Sequence, residues 1–326
     1  MPFFSFTVPQ TYTASERLDT YIAALQNGMN RSKLKSGVTT ILVNGKPQKL
    51  SYRPKAGDGV DIQWEEGIPA AITPEDIPLS ILYEDDAVCV VNKAQGMVTH
   101  PASGNWTGTL VNALLYHWGR GDITCLSHGT MSDMLRVRRP GIVHRLDKET
   151  SGVIVTAKNR GAEEWLQAQF RNHRALVKEY IAICTGRPQH QHGVVRTQLV
   201  RDPKNRKRFK AVAGGEDGKE AVSAYRCIAC YGEYSLLKIR IATGRTHQIR
   251  VQLKYLNCPV LGDGLYGHSD KLFPGATLML HSKRLSIRLP GKKKADTFVA
   301  PTPERFLQVL HRLRALYPKT VLPKDR

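Results

Sequence analysis

A chain of 326 residues is long enough for about two domains, each with its own core. Its 48 Lys and Arg against 28 Asp and Glu leave a net charge of +20, a field that favours a polyanionic partner, either nucleic acid or an anionic membrane. The membrane reading fares poorly, because the longest apolar runs, "AVCVV" and "GVIVTA", fall far short of the roughly 20 residues a span needs and no amphipathic Lys-rich helix stands out. The opening "MPFFSFTVPQTYTASERLDTYI" has no basic start, apolar core or small-residue cleavage site, so no secretion signal is read and a cytoplasmic protein is expected.

Residues 12–64 are expected to form a small separate module. "SERLDTYIAALQNG" predicts a helix capped by Ser15, with Leu18, Ile22 and Leu25 on one face and a Gly stop. "NRSKLKSG" predicts a second short helix exposing Arg31, Lys33 and Lys35. "TILVNGKPQKL" predicts strands broken at an Asn-Gly turn, and "RPKAGDGVDIQW" adds a turn and a strand. The module is basic in its own right, with 8 Lys or Arg and 4 Asp or Glu from residue 1 to 64.

Residues 65–78, "EEGIPAAITPEDIP", hold three prolines and no periodicity, which predicts a linker into a second domain, 79–326. There "LSILYEDDAVCVVNKAQGM" reads as a β-hairpin and "GTLVNALLYHW" as a short amphipathic helix. A loop is expected from 119 to about 138. "GVIVTAK" follows as a strand, "NRGAEEWLQAQFRNH" as a helix with Trp165, Leu166 and Phe170 inward, and "ALVKEYIAICTG" as a strand. "EAVSAYRCIACY" and "YSLLKIRIAT" read as a strand pair, "RTHQIRVQLKYL" as a helix and "ATLMLHSKRLSIRLP" as a long strand. Beyond 300 no element is assigned. Long strands joined by turns, with few helices, predict an α+β fold around a mixed, largely antiparallel sheet.

Six cysteines, at 89, 125, 184, 227, 230 and 258, are too irregularly spaced for a disulfide framework. Cys227 and Cys230 form one "CIAC" in a strand without a second ligand pair at zinc spacing, so core thiols are expected and no metal. "GDGLYG" at 262–267 formally fits G-x-G-x-x-G but lacks the following helix, and reads as a turn packing Tyr266. No nucleotide or other cofactor is expected.

The densest chemistry lies in "HRLDKETSG", 144–152. Asp147 and Glu149 are too close in one loop to flank a scissile bond as glycosidase carboxylates do. Arg145 and Lys148 beside Asp147 fit either a structural ion pair or a carboxylate kept ionised for work. Two basic stretches, "RDPKNRKRFK" at 201–210 and "GKKKAD" at 291–296, are candidates for phosphate contacts.

Taken together, "VVNKAQGMVTHPASGNWTGTLVNALLYH", "RPGIVHRLDKETSGVIVTAKN", "KEYIAICTG", "ATGRTHQIRVQL", "GDGLYG" and "MLHSKRLSIRLP" resemble the RluA-type pseudouridine synthases over nearly all of residues 80–290. The N-terminal "RLDTYIA", "NRSKLKSG" and "VNGKPQKLSYRPKAGDGVDI" resemble the RNA-binding module of ribosomal protein S-four, although "VTTILVNG" departs from the usual approach to the turn. Within "NKAQG", Ala94 stands where those synthases commonly carry proline.

The resemblance implies a pseudouridine-synthase fold and an isomerase, an intramolecular transferase that detaches uracil from its ribose, turns it and rejoins it through carbon five. It implies Asp147 as the residue that attacks the anomeric carbon or removes the neighbouring ribose proton, two routes left open here. It also implies Tyr180 stacked on the base and a partner in the last deprotonation, Arg245 paired with Asp147, and Arg145 filling the space left by a flipped-out nucleotide or gripping the RNA backbone. His144, Thr150, Ser151 and Gly152 are expected to hold the turn. Arg31, Lys33 and Lys35 are expected to bind RNA. Large-subunit ribosomal RNA is the expected partner and a monomer the expected state. Transfer RNA, or a non-catalytic ribosome-assembly role, are the alternatives.

Overall fold

The computed structural model describes residues 3–13, 15–25, 34, 38–64, 72–101, 105–120, 141–172, 176–205, 207–215, 218–318 and 322–323. They fall into two compact units, one reaching to Trp64 and one beginning at Ile72. Arg31, Lys33 and Lys35, with most of "NRSKLKSG" and nearly all of the expected 119–138 loop, lie outside the described residues.

The first unit is a four-stranded antiparallel sheet in the order β1 (Phe3–Thr7), β4 (Gly59–Trp64), β2 (Val38–Val43), β3 (Lys46–Pro47). Strand β1 lies before residue 12, so the sheet starts earlier than the sequence pattern suggests. Asn44 and Gly45, both at positive φ, turn β2 into β3 as the Asn-Gly pair predicts. Helix α1 (Leu18–Ala24) buries Leu18 and Ile22. It starts after Arg17 rather than from a Ser15 cap, and Leu25 sits past its end, 39% exposed, so the predicted third apolar position faces water.

The second unit is built on a ten-stranded sheet. Its order is β10 (Phe209–Val212), β9 (His192–Arg201), β11 (Lys219–Tyr231), β12 (Tyr234–Ile241), β8 (Val177–Thr185), β13 (Leu280–Ile287), β7 (Ser151–Ala157), β6 (Val88–Lys93), β5 (Ile81–Glu84). Strand β14 (Asp296–Val299) also pairs with β13. Among these strands β13 runs parallel to β7, at His281 opposite Ser151 and Ser282 opposite Gly152, and the other pairings are antiparallel. Among the described residues four helices complete the unit: α2 (Leu110–His117), α3 (Arg160–Asn172), α4 (Gln248–Tyr255) and α5 (Glu304–Leu316).

Strand β7 is buried along its whole length, which is why it reads as an unbroken apolar run. Ile154 packs with Leu110 and Leu114 of α2 and Phe306 of α5, whereas Val153 and Val155 pack with Leu166 of α3 and Leu285. The sheet is therefore covered on both faces. In α3 only Leu166 is fully buried among the three predicted inward residues; Trp165 is 36% exposed and lies over Arg288, donating its indole N–H to the Arg288 carbonyl. Residues 72–78 do not behave as a free linker. Glu75 bonds the Gly108 N–H and the Asn112 carbonyl, and the Thr73 carbonyl accepts from Asn112 Nδ2 at 2.7 Å.

Gly152 is the point where the loop carrying Asp147 enters β7. Its φ is +113°, and a Cβ there would lie 2.2 Å from the Ser282 carbonyl oxygen of β13. Gly152→Ala is expected to cost about 3 kcal/mol, because backbone strain adds to a contact that must shift a strand. Gly96→Ala, at φ +82° but with open space around its Cβ, should cost nearer 1 kcal/mol. Urea unfolding of the two variants checks the difference.

Candidate active site

Three elements meet at one end of the large sheet: the loop before β7, the start of β8, and the turn from β12 into α4. Together they line a cleft of about 520 Å³ that contains Asp147, Tyr180, Arg245 and Arg145. The four residues singled out from the second domain's sequence thus converge.

The Asp147 loop is held from outside by the "NKAQG" turn. Lys93, 1% exposed, donates from Nζ to the carbonyls of Ala94 and Met97 at 2.8 Å and of Lys148 at 3.2 Å. Gln95 donates to the Glu149 carbonyl at 2.9 Å, and Thr99 to that of Leu146 at 2.9 Å. Burial lowers Lys93 to about 7, against the pull of Asp147 and Glu149. Inside the loop the Thr150 N–H bonds the Asp147 carbonyl at 3.0 Å. His144 stacks on Phe170 with 4.5 Å between ring centres, and its Nε2 accepts the Val155 N–H at 3.0 Å. Burial drives its imidazole down to about 3, so the ring is a neutral strut of the loop. Ala94, the departure from proline, supplies one of the carbonyls that Lys93 needs.

The guanidinium facing Asp147 belongs to Arg250, not Arg245. Arg250 Nη1 lies 3.4 Å from Asp147 Oδ2, while its Nε and Nη2 grip Asp263 at 2.7 and 2.8 Å. Asp263 is fully buried and also accepts the N–H groups of Leu265 and Tyr266 at 2.9 and 3.0 Å. Burial opposes both charges, but their mutual bonds prevail, so Asp263 lies below and Arg250 above the ordinary value. The "GDGLYG" segment is thus a turn, as expected, and it carries the counter-ion that the sequence did not flag.

Arg245 is displaced because α4 starts later than the sequence suggests. The helix begins at Gln248, after His247 in the left-handed region at φ 56°. The Gln248 side chain locks the preceding turn, accepting from Arg245 N–H and Thr243 Oγ1 and donating to the Val222 carbonyl and Ser223 Oγ. Arg245 therefore leaves the turn exposed and donates from Nε to the Glu220 carbonyl at 3.0 Å, while Arg250 projects from the helix itself.

His247 is the other group beside Asp147, with Nε2 3.9 Å from Oδ2. Its Nδ1 is 2.8 Å from the Tyr266 hydroxyl, which accepts the Phe209 N–H at 3.0 Å. Burial holds His247 below its usual value although Asp147 favours its charge. Tyr180 is 7% exposed, and burial lifts its phenol to about 12, opposed by a bond from Ser282. Arg145 is exposed at the cleft.

Among the described residues neither basic stretch lines the cleft, but Phe209 of the first adjoins it, its N–H on the Tyr266 hydroxyl and its ring edge-on to His247 at 6.2 Å. In 201–210 Asp202 meets Lys210 at 3.5 Å and Arg201 covers Phe209, tying that hairpin together. Lys292, Lys293 and Lys294 are exposed between β13 and β14. Cys227 and Cys230 are buried with their sulfurs 3.4 Å apart, brought to one side by a bulge in β11.

Comparison with known proteins gives the family and the fold. The family described as RNA pseudouridylate synthase matches residues 87–255. An uncharacterized RNA pseudouridine synthase of Chlorobaculum parvum is 40% identical over 318 residues, covering 92% of this chain and 94% of its own. The ribosomal large subunit pseudouridine synthase D of Borreliella burgdorferi is 40% identical over 309 residues, covering 92% and 91%. Among solved structures, human RNA pseudouridylate synthase domain containing 4 superposes with a TM-score of 0.55 at 26% identity, over 75% of this chain and 95% of its own. With the family model over half the chain, relatives at 40% identity and the α+β sheet in agreement, the chain belongs to the RNA pseudouridine synthases, isomerases that act on RNA.

Proposed function

We propose that the enzyme modifies uridines of large-subunit ribosomal RNA in the cytoplasm, and that Asp147 is the residue that engages the target nucleotide. The observation that carries the reading is the Asp147 carboxylate, 19% exposed in the cleft, with Arg250 beside it and Asp263 behind Arg250. Asp263 takes two of the guanidinium's donors, so Arg250 can reach Asp147 while remaining fixed. The carboxylate is thereby aimed and its charge balanced before substrate arrives. It then either attacks the anomeric carbon or takes the neighbouring ribose proton.

A uracil inside a stacked helix cannot reach this cleft, so the target is unpaired or flipped, and Arg145, exposed at the cleft, contacts the RNA. Tyr180, with its phenol near 12, is neutral at physiological pH. That favours stacking and positioning over a preformed phenolate base. Relatives in Borreliella burgdorferi, Zymomonas mobilis and Neisseria meningitidis bear the name of ribosomal large subunit pseudouridine synthase D, which supports the choice of RNA. The basic module at 12–64, with Arg31, Lys33 and Lys35, would add non-catalytic grip, and a monomer suffices for this chemistry.

Mapping pseudouridines in ribosomal and transfer RNA from cells with and without the gene tests the substrate. One or a few large-subunit positions should revert to uridine. A loss confined to transfer RNA would reassign the target, and an unchanged map would leave the enzyme without the proposed role.

A further inference from the structure

The cleft carries far more positive charge than Asp147 needs. Five of its lining residues are Lys or Arg, namely Arg145, Arg171, Lys178, Arg245 and Arg250, against the single carboxylate of Asp147. Arg250 is already engaged by Asp263 and Asp147. Lys178 is the anomaly. It lies on the same face of β8 as Tyr180, two residues away, and is only 8% exposed, a burial that lysine rarely tolerates without a carboxylate.

Its one hydrogen bond among the described residues is to the Thr243 carbonyl, at 3.3 Å, leaving donors of the ammonium unused. The adjacent carboxylate, Glu179, faces the other side of the sheet and is taken by Arg240 at 2.9 Å and Lys238 at 3.4 Å. The charge nearest Lys178 in effect is instead a like one. Burial, and then Arg245, bring Lys178 down to about 8. Gly244, between Thr243 and Arg245, keeps side-chain atoms off the ammonium, since even an added Cβ would stop 3.9 Å from Nζ.

We propose that Lys178 and Arg245 together hold a phosphodiester of the substrate RNA next to the target uridine. Two cations kept close in a partly dry cleft repel one another until an anion enters between them. A phosphodiester supplies that anion wherever a nucleotide is turned into the cleft, because every flipped nucleotide brings its flanking phosphates with it. The position of Lys178 on the Tyr180 face places the grip beside the base-stacking residue. Lys178 is in this view a binding residue, and Arg245, released from the role of Asp147's partner, acquires one.

The inference rests on RNA pseudouridylation and not on which RNA is used. The test takes a short hairpin around the uridine located by mapping, whichever RNA carries it. The hairpin is made with natural linkages or with a neutral methylphosphonate at the 5′ or the 3′ linkage of that uridine. Lys178→Met should lower kcat/KM on natural RNA about tenfold, mostly through KM, and reduce the slope of log affinity against log salt by about 1. Lys178→Arg should recover most of the loss. In the native enzyme one of the two methylphosphonates should cause a similar loss, and Lys178→Met should add nothing to it.

Full additivity of the lysine and methylphosphonate effects would overturn the proposal, as would Lys178→Met with native kcat/KM and salt slope. So would indifference of the native enzyme to both neutral linkages. A lesion from misfolding would instead appear equally on all three RNAs and would not be rescued by arginine, which also counts against the grip. Failure to find the uridine in large-subunit ribosomal RNA bears only on the substrate proposed above.

Discussion

Asp147→Asn is expected to lower kcat by at least about a thousandfold while leaving the fold intact and RNA affinity within a few-fold of native. The amide has the size of the carboxylate but can neither form a bond to the anomeric carbon nor accept a ribose proton. The surroundings would persist, because Arg250 remains fixed by Asp263 and the loop by Lys93, Gln95 and Thr99. Release of tritium from RNA labelled at carbon five of uridine measures the step directly. Undiminished release by the variant would remove Asp147 from the chemistry.

Asp147→Glu extends the same test. It preserves the charge but moves it by about one methylene, a displacement that typically costs on the order of a hundredfold when the geometry must be right. Activity nearer to native would mean that only a negative charge is needed.

The contrast between Asp147 and Arg250 shows what the sequence can convey. Asp147 stands in a loop crowded with polar groups, and that crowding, with the ordered motifs around it, marks it. Arg250 sits between Ile249 and Val251 in a short helix, where a charged residue reads as surface decoration; its role depends on Asp263, thirteen residues on, in a turn that looks merely structural. Arg245 is implied by the family resemblance, in the first turn of the expected helix, but the left-handed His247 and the Gln248 bonds are not inferable from spacing.

Strands with strong alternation or apolar runs, β6, β7, β8, β11 and β12, were legible. Strand β9, "HGVVRTQLVR", was not, because its exposed face carries Val194 as well as polar residues and blurs the period. Helix α5 did carry a signal, Phe306, Val309, Leu310 and Leu313 at helical spacing, and it covers one face of the sheet that holds the site. Strand alternation also puts Lys178 on the face of Tyr180, two residues on.

Asp263→Asn should be the second most damaging change, and it should act on stability as well as catalysis. An asparagine oxygen could still accept from Leu265, Tyr266 and one guanidinium N–H, but its amide would point hydrogens at the other. Arg250, 10% exposed, would be left partly uncompensated, at a cost of about 3 to 5 kcal/mol. Loss of its fixed position beside Asp147 should lower kcat by at least about a hundredfold.

The pH dependence has a definite sign. Arg250 keeps the folded Asp263 below its unfolded value, so its contribution to stability is present above about pH 4 and is lost as the pH falls through the lower, folded value. Urea unfolding at neutral pH should therefore separate native protein from Asp263→Asn by the full amount, and the gap should narrow steadily below about pH 4. A gap of constant size down to pH 2 would show that the carboxylate charge is not what stabilises Arg250. The double variant Arg250→Met with Asp263→Asn removes both charges, and it should regain much of the lost stability without regaining activity. Recovery of turnover in that variant would mean that Asp147 needs no guanidinium beside it.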